Sequence, residues 1–132
     1  MMTFVDTGVW FASIVPTDPR HGEVADWHRV NNLPLLTTDY VVDETLTLLR
    51  ARGERTRAIE LGRSFFDLDL FAIHRVDEQD LHNAWRSFRE QPDRLWSFTD
   101  CTSKAVIERL HIKRALTFDR HFVEFGVSAI VP

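Results

Sequence analysis

Thr3-Phe4-Val5-Asp6-Thr7-Gly8 opens the chain with a short β-favouring run that ends on an acid and hands over to a mainly apolar helical stretch, Thr7 to Val15. An acid suits that junction, because its side chain accepts from N–H groups that a first helical turn leaves without partners. The same junction recurs further on. Leu35-Leu36-Thr37 reads as a strand, with Thr38 or Asp39 capping the next helix, and Ala115-Leu116-Thr117 as a strand ahead of a short helical turn from Asp119 to Phe125. Phe98-Thr99-Asp100-Cys101-Thr102-Ser103 begins another helix, with Thr99 read as its N-cap and Asp100 as its first helical residue. That helix buries Cys101, Ala105, Val106 and Leu110.

The remaining stretches fill in the alternation. Pro16-Thr17-Asp18-Pro19 is a turn, a helical pattern runs from His21 to Val30, and Asn31-Asn32-Leu33-Pro34 breaks it. Val41 to Leu49 is helical and ends near Gly53, and a further helix covers Arg55 to Phe66. Leu70-Phe71-Ala72-Ile73-His74 is apolar without clean alternation, as a buried parallel strand would be. Asp77 opens a helix through Ala84, Trp85 and Phe88, the loop Gln91-Pro92-Asp93-Arg94 follows, and Val127 to Val131 is a last short strand. Strands alternating with helices predict an α/β fold, a mainly parallel sheet covered on both faces, in one domain over residues 1–132. In such sheets the ligand crevice lies beyond the carboxyl ends of the strands.

Composition narrows the class. The 132 residues are 44% hydrophobic and 27% charged, enough for one soluble domain that buries roughly two-thirds of its unfolded surface. No apolar run is long enough to span a bilayer, and Met1-Met2-Thr3 lacks the basic flank of a secretory signal. A single cysteine excludes an internal disulfide and a cysteine-based zinc cluster, so the expected compartment is a reducing cytoplasm. The net charge of −4 argues against bulk electrostatic binding of nucleic acid. Positive charge is local instead: Arg50, Arg52, Arg55 and Arg57 form one group, and Lys104, Arg109, Lys113 and Arg114 another.

Asp6, Asp100 and Asp119 each read alone as an acid at a helix start, and Asp39 and Asp43 as a cap and a solvent-facing neighbour. Glu44 is different, since it sits inside a helix among Val41, Val42 and Leu48, where a carboxylate is costly to bury unless something positive meets it. Converging on one crevice, such acids would repel: two unit charges about 4 Å apart do so by roughly 4 kcal/mol at an effective dielectric near 20. Helix N-termini favour the ionised forms, so a cation is the better remedy than protons. All-oxygen donors suit Mg²⁺ or Mn²⁺, not zinc.

Other chemistries have less support. Cys101 reads as a small residue packed on a helix face rather than a nucleophile. His21 and His28 lie seven apart without a third ligand at metal spacing. Trp10, Trp27, Trp85 and Trp96 read as core or interface anchors, and there is no Gly-rich phosphate loop. A haloacid-dehalogenase-like phosphatase using Asp6 as nucleophile would want a second Asp at position 8, where Gly8 stands.

Four stretches together resemble the PIN-domain family, and within it the VapC-type toxins of bacterial toxin–antitoxin pairs. They are Phe4-Val5-Asp6-Thr7, Asp43-Glu44-Thr45 ahead of Leu46-Thr47-Leu48-Leu49, Ser97 to Ser103, and Leu116-Thr117-Phe118-Asp119-Arg120-His121-Phe122. Each is short, but their order and spacing span the chain. The resemblance implies a three-layer α/β/α sandwich and a Mg²⁺-dependent endoribonuclease that cuts structured RNA such as tRNA or ribosomal RNA. Its acidic quartet falls on Asp6, Glu44, Asp100 and Asp119, with Thr7 and Thr99 as the hydroxyl residues beside the first and third acids. Lys104 stands where close relatives would carry an apolar residue. Asp6 and Asp100 are expected as direct metal ligands, and Glu44 and Asp119 as acting through water. The Arg50–Arg57 group is a candidate for gripping RNA phosphates or pairing with an acidic partner segment. A cognate antitoxin and homodimerisation are further implications, with Trp10, Phe11 and Trp27 as interface candidates. The rival class is a binding module in which the same acids serve only as caps.

Overall fold

The computed structural model describes residues 2–91 and 95–132, so most of the loop read at Gln91-Pro92-Asp93-Arg94 lies outside it. In chain order the elements are β1 (Thr3–Val5), α1 (Thr7–Ile14), α2 (His21–Val30), β2 (Leu35–Thr38), α3 (Asp39–Ala51), α4 (Arg55–Phe66) and β3 (Ala72–His74). Then follow α5 (Glu78–Glu90), α6 (Phe98–Leu110), β4 (Arg114–Leu116), a 3-10 turn (Arg120–Phe125) and β5 (Ala129–Val131). The strands form one five-stranded sheet in the order β3-β2-β1-β4-β5, with every pairing parallel.

Thr3, Phe4 and Val5 are all buried, and so are all four residues of β2. Successive strand side chains point to opposite faces, so helices must cover both sides of the central strands. That is the expected sandwich of helices around a parallel sheet. Its core joins Phe4, Leu36 and Leu116 of the strands with Val9, Val41, Leu49, Ile107, Phe122 and Phe125 from the surrounding elements. Sequence order reverses between β1 and β4, and in doubly wound sheets a crevice opens at that point.

Several expectations are corrected. β3 pairs only with β2 at the sheet edge, its residues are half-buried and Leu70 is exposed, so this is an edge strand rather than a buried one. α6 begins earlier than expected: Ser97, not Thr99, is the N-cap, and Asp100 is the third helical residue of a capping box. Trp10 and Trp27 belong to the core, so they are not surface side chains, and half-buried Phe11 packs against it. The large apolar side chains that do face solvent include Phe66, Leu68, Trp85, Phe88 and Leu95. No helix among the described residues is long and apolar enough to cross a membrane.

Candidate active site

Four elements, α1, α3, α6 and the 3-10 turn, carry the acids toward the carboxyl ends of β1 and β4. Asp6 directly follows β1 and caps α1, its Oδ1 accepting from Thr7 N at 2.9 Å. Its backbone N–H donates to Leu116 O at 3.0 Å, which ties this junction to the end of β4. Thr117 bridges two of the acids. Its hydroxyl donates to Asp6 Oδ2 at 3.0 Å and accepts from the backbone N–H of Asp119, also at 3.0 Å. Asp119 in turn caps the 3-10 turn, its Oδ1 accepting from His121 N at 2.9 Å with the His121 ring at 3.1 Å.

Asp100 reaches the same place through its capping box. Ser97 Oγ accepts from Asp100 N at 3.0 Å, and Asp100 Oδ2 accepts from Ser97 N at 3.2 Å. Glu44 comes from the second turn of α3, half-buried, and forms no hydrogen bond or ion pair with another described residue.

Electrostatics shows that the four acids share one neighbourhood. Burial pushes the Asp6 carboxyl up to about 7, with the charge of Asp100 adding to it and Glu44 adding less, against the pull of the Thr7 N–H and Thr117 hydroxyl. Asp100 is likewise held above the usual carboxylate range, by burial and then by Glu44 and Asp119, while its bonds to Ser97 oppose the rise. Asp6, Glu44, Asp100 and Asp119 lie 38, 56 and 19 residues apart along the chain, yet each is within electrostatic reach of another. Among the described residues no Lys or Arg side chain bonds to any of them.

The donors are the kind a hard cation takes. Among the described residues no three His, Cys, Asp or Glu side chains are gathered closely enough to hold an ion between them. Asp6, Asp100 and Asp119 each commit a carboxylate oxygen to a helix start. Mg²⁺ asks for no more, since it keeps several waters and takes one or two protein carboxylates. An oxygen-only set, with Asp6 lifted to about 7 by burial and then by the charge of Asp100, therefore fits such an ion.

The other sequence candidates separate from this cluster. Arg57 donates to Ile14 O at 3.1 Å and faces Glu54 at 3.4 Å. It thus sits at the opposite end of α1 from Asp6, about 12 Å of helix away, so Arg57 is not beside that acid. His21 Nδ1 lies 2.7 Å from Ala12 O. Cys101 is buried, and its thiol is pushed up by burial and by Asp100, the reverse of nucleophile activation. Lys104 pairs with Glu108 at 2.9 Å. Sequence reading missed Thr117 as the link between the first and fourth acids; its place directly after β4 was the available signal.

A family model described as the PIN domain matches residues 3–127. The chain belongs to the PIN-domain family. Within it, the chain is 31% identical to the 23S rRNA-specific endonuclease VapC20 of Mycobacterium tuberculosis, covering 99% of each chain. A crystal structure of that protein, described as a sarcin–ricin loop cleaving toxin, superposes with a TM-score of 0.89 at 27% identity over 100% of both chains. A VapC ribonuclease of Archaeoglobus fulgidus is 26% identical over 92% of this chain and 80% of its own. The PIN fold and the VapC likeness read from the four short motifs thus stand.

Proposed function

We propose that this PIN-domain protein is a toxin-type endoribonuclease that hydrolyses structured RNA, with ribosomal RNA the first substrate to test, using Mg²⁺ or Mn²⁺ bound directly by Asp6 and Asp100, with Glu44 and Asp119 acting through water. One observation carries the reading. Carboxylates from four separate parts of the chain come within electrostatic reach of one another near the sheet's reversal point, and burial together with that neighbouring charge raises the proton affinity of Asp6 and Asp100. Caps alone would have no reason to converge. Ribosomal RNA is favoured over tRNA because the relative that matches along nearly its whole length is named for 23S rRNA.

Asp6 and Asp100 are the candidates for direct coordination, since both are held above the usual carboxylate range, first by burial and then by neighbouring acids, which a cation would offset. A bound divalent ion supplies positive charge for the phosphate oxygens and a water acidic enough to serve as nucleophile near neutral pH. The chain's own residues do the rest. Thr117 and the Thr7 N–H aim the two Asp6 oxygens, and Ser97 fixes Asp100. Glu44, with no partner among the described residues, is available to accept the hydrogen bond of the attacking water and take its proton. Asp119, turned by His121 and Thr117, orients water from the other side. The oxygen–phosphorus bond of the incoming water forms as the phosphorus–oxygen bond to the leaving ribose breaks, and the crevice holds the phosphate for that exchange.

By the same likeness we infer an antitoxin partner that blocks the crevice, and a homodimer. Sequencing the 5′ ends of RNA fragments after induction in cells tests the core of the reading. New ends should cluster at one ribosomal site with wild-type protein and vanish with Asp6→Asn.

A further inference from the structure

A cation is held in a fixed pose at the rim of the acidic crevice. Phe118 stands between Thr117, which bonds to Asp6, and Asp119. Gly8, two residues past Asp6, comes close to the same ring: a Cβ there would lie 3.4 Å from Phe118 Cδ2. The Arg20 guanidinium lies over that ring, 3.8 Å from its centroid. Its Nε and Nη2 both donate to Glu23 Oε2, at 3.1 and 2.8 Å, and its backbone N–H donates to Asp18 Oδ1 at 2.8 Å. No described residue accepts from its Nη1. The charges acting most on Asp6 and Asp100 are each other, Glu44 and Asp119, which leaves the guanidinium at the rim and not among the acids.

From this geometry we propose that Arg20, stacked on Phe118, grips an RNA backbone phosphate next to the one being cut. The assignment rests on the nuclease reading above. Arginine presents a planar fork of five N–H donors, and Glu23 occupies one edge only. The edge carrying Nη1 is left for a phosphate, which takes two parallel N–H···O bonds from such a fork. At an exposed position neither the ring contact nor the Glu23 pair adds much stability. What they do together is fix a long side chain in one rotamer, so that less ordering remains to be done when RNA binds. Arg57, by contrast, is committed to Ile14 O and Glu54 at the far end of α1.

A test that separates gripping from a merely structural role uses Asp100→Asn protein, which should bind RNA without cutting it. Fluorescence anisotropy would follow two labelled probes, a 23S rRNA hairpin carrying the sarcin–ricin loop and an unstructured RNA 20-mer, across a range of KCl. Adding Arg20→Ala should weaken both by roughly 5-fold and flatten the slope of log affinity against log salt by about 0.7, the share of one phosphate contact on a single strand. Glu23→Ala, which frees the guanidinium without removing it, should leave that slope alone. In the cutting protein, Arg20→Ala should raise KM and leave kcat within about 2-fold. Affinity and slope unchanged by Arg20→Ala, or equal losses from Glu23→Ala, would overturn the assignment while leaving the nuclease intact. Failure of the starting Asp100→Asn protein to bind either probe would instead remove the nuclease reading, and Arg20's role with it.

Discussion

Among individual residues, Asp6 has the largest electrostatic consequence. Its carboxyl is raised from 3.8 to about 7, first by burial and then by Asp100. An acid whose affinity for protons is higher folded than unfolded binds more protons in the native state, so it costs stability as pH rises. The loss begins near pH 4, where the unfolded group ionises, and levels off above about pH 7, where the folded group has ionised too. Three units correspond to at most about 4 kcal/mol. In EDTA, the melting temperature of the wild type should therefore fall between pH 4.5 and 7.5, and Asp6→Asn should flatten that fall. Parallel pH curves for the two proteins would show that Asp6 is not crowded. Asp100→Asn separates capping from chemistry in the same way. Asn keeps a side-chain oxygen that can accept from the Ser97 N–H in the capping box, and losing a carboxylate already held above its usual range relieves repulsion. The variant should melt at or above the wild-type temperature while RNA cleavage drops at least 100-fold, of the order lost when a group acting in the transition state is removed. Near-wild-type cleavage would return Asp100 to the role of a cap.

Between elements, α5 and α6 are joined by an ion pair that sequence reading did not find. Asp80 is 1% exposed on α5, yet Arg109 of α6 meets it with two hydrogen bonds of 2.8 Å. Burial alone would raise the Asp80 carboxyl; the Arg109 hydrogen bond and charge, with the Asp77 N–H, reverse that and hold it below its ordinary value. Its contribution is therefore present at neutral pH and disappears as pH falls below about 4, the opposite sense to Asp6. Arg109→Leu would strand a buried carboxylate. Because the Arg109 side chain is 37% exposed and water screens the pair, the expected loss is about 2–3 kcal/mol, below the fully buried case. Urea unfolding at pH 7 measures it, and a loss under 1 kcal/mol would mean that water already stands in for the arginine. Asp77 was legible as the start of a helix, but nothing local announces a partner for Asp80 29 residues away. The start of α6 was misread for a related reason. Ser97 and Thr99 are both good caps, and only the reciprocal bond from Asp100 back to Ser97 chooses between them. β3 reads as buried because Leu70-Phe71-Ala72-Ile73 is apolar, whereas burial depends on strand order, which no local pattern encodes.

For the whole molecule, the parallel sheet was legible because β1, β2 and β4 are short apolar runs closed by a hydroxyl or an acid, and each passes into a helix. The positions of Asp6 and Asp119 at the ends of β1 and β4 followed from that architecture, whereas Glu44 and Asp100 were singled out with them by family resemblance. The acids' interdependence did not follow, since it needs Thr117 to lie against Asp6 across 111 residues of chain. That interdependence supplies a test of the molecule as a unit. Repulsion among the acids exists only when the chain is folded, so an ion that relieves it binds the native state and not the unfolded one. At a free concentration tenfold above its dissociation constant, it should add about 1.4 kcal/mol, or roughly 5 °C in melting temperature for a chain of this size. Removing both Asp6 and Asp100 as Asn should abolish that gain and also remove the repulsion. The two proteins should therefore exchange places: at pH 7.5 the double variant melts higher in EDTA, and the wild type recovers or overtakes it in millimolar Mg²⁺ or Mn²⁺. Scanning calorimetry in both buffers reads all four values. Equal metal-induced shifts in the two proteins would mean that ions act on the −4 surface as a whole and not at this crevice.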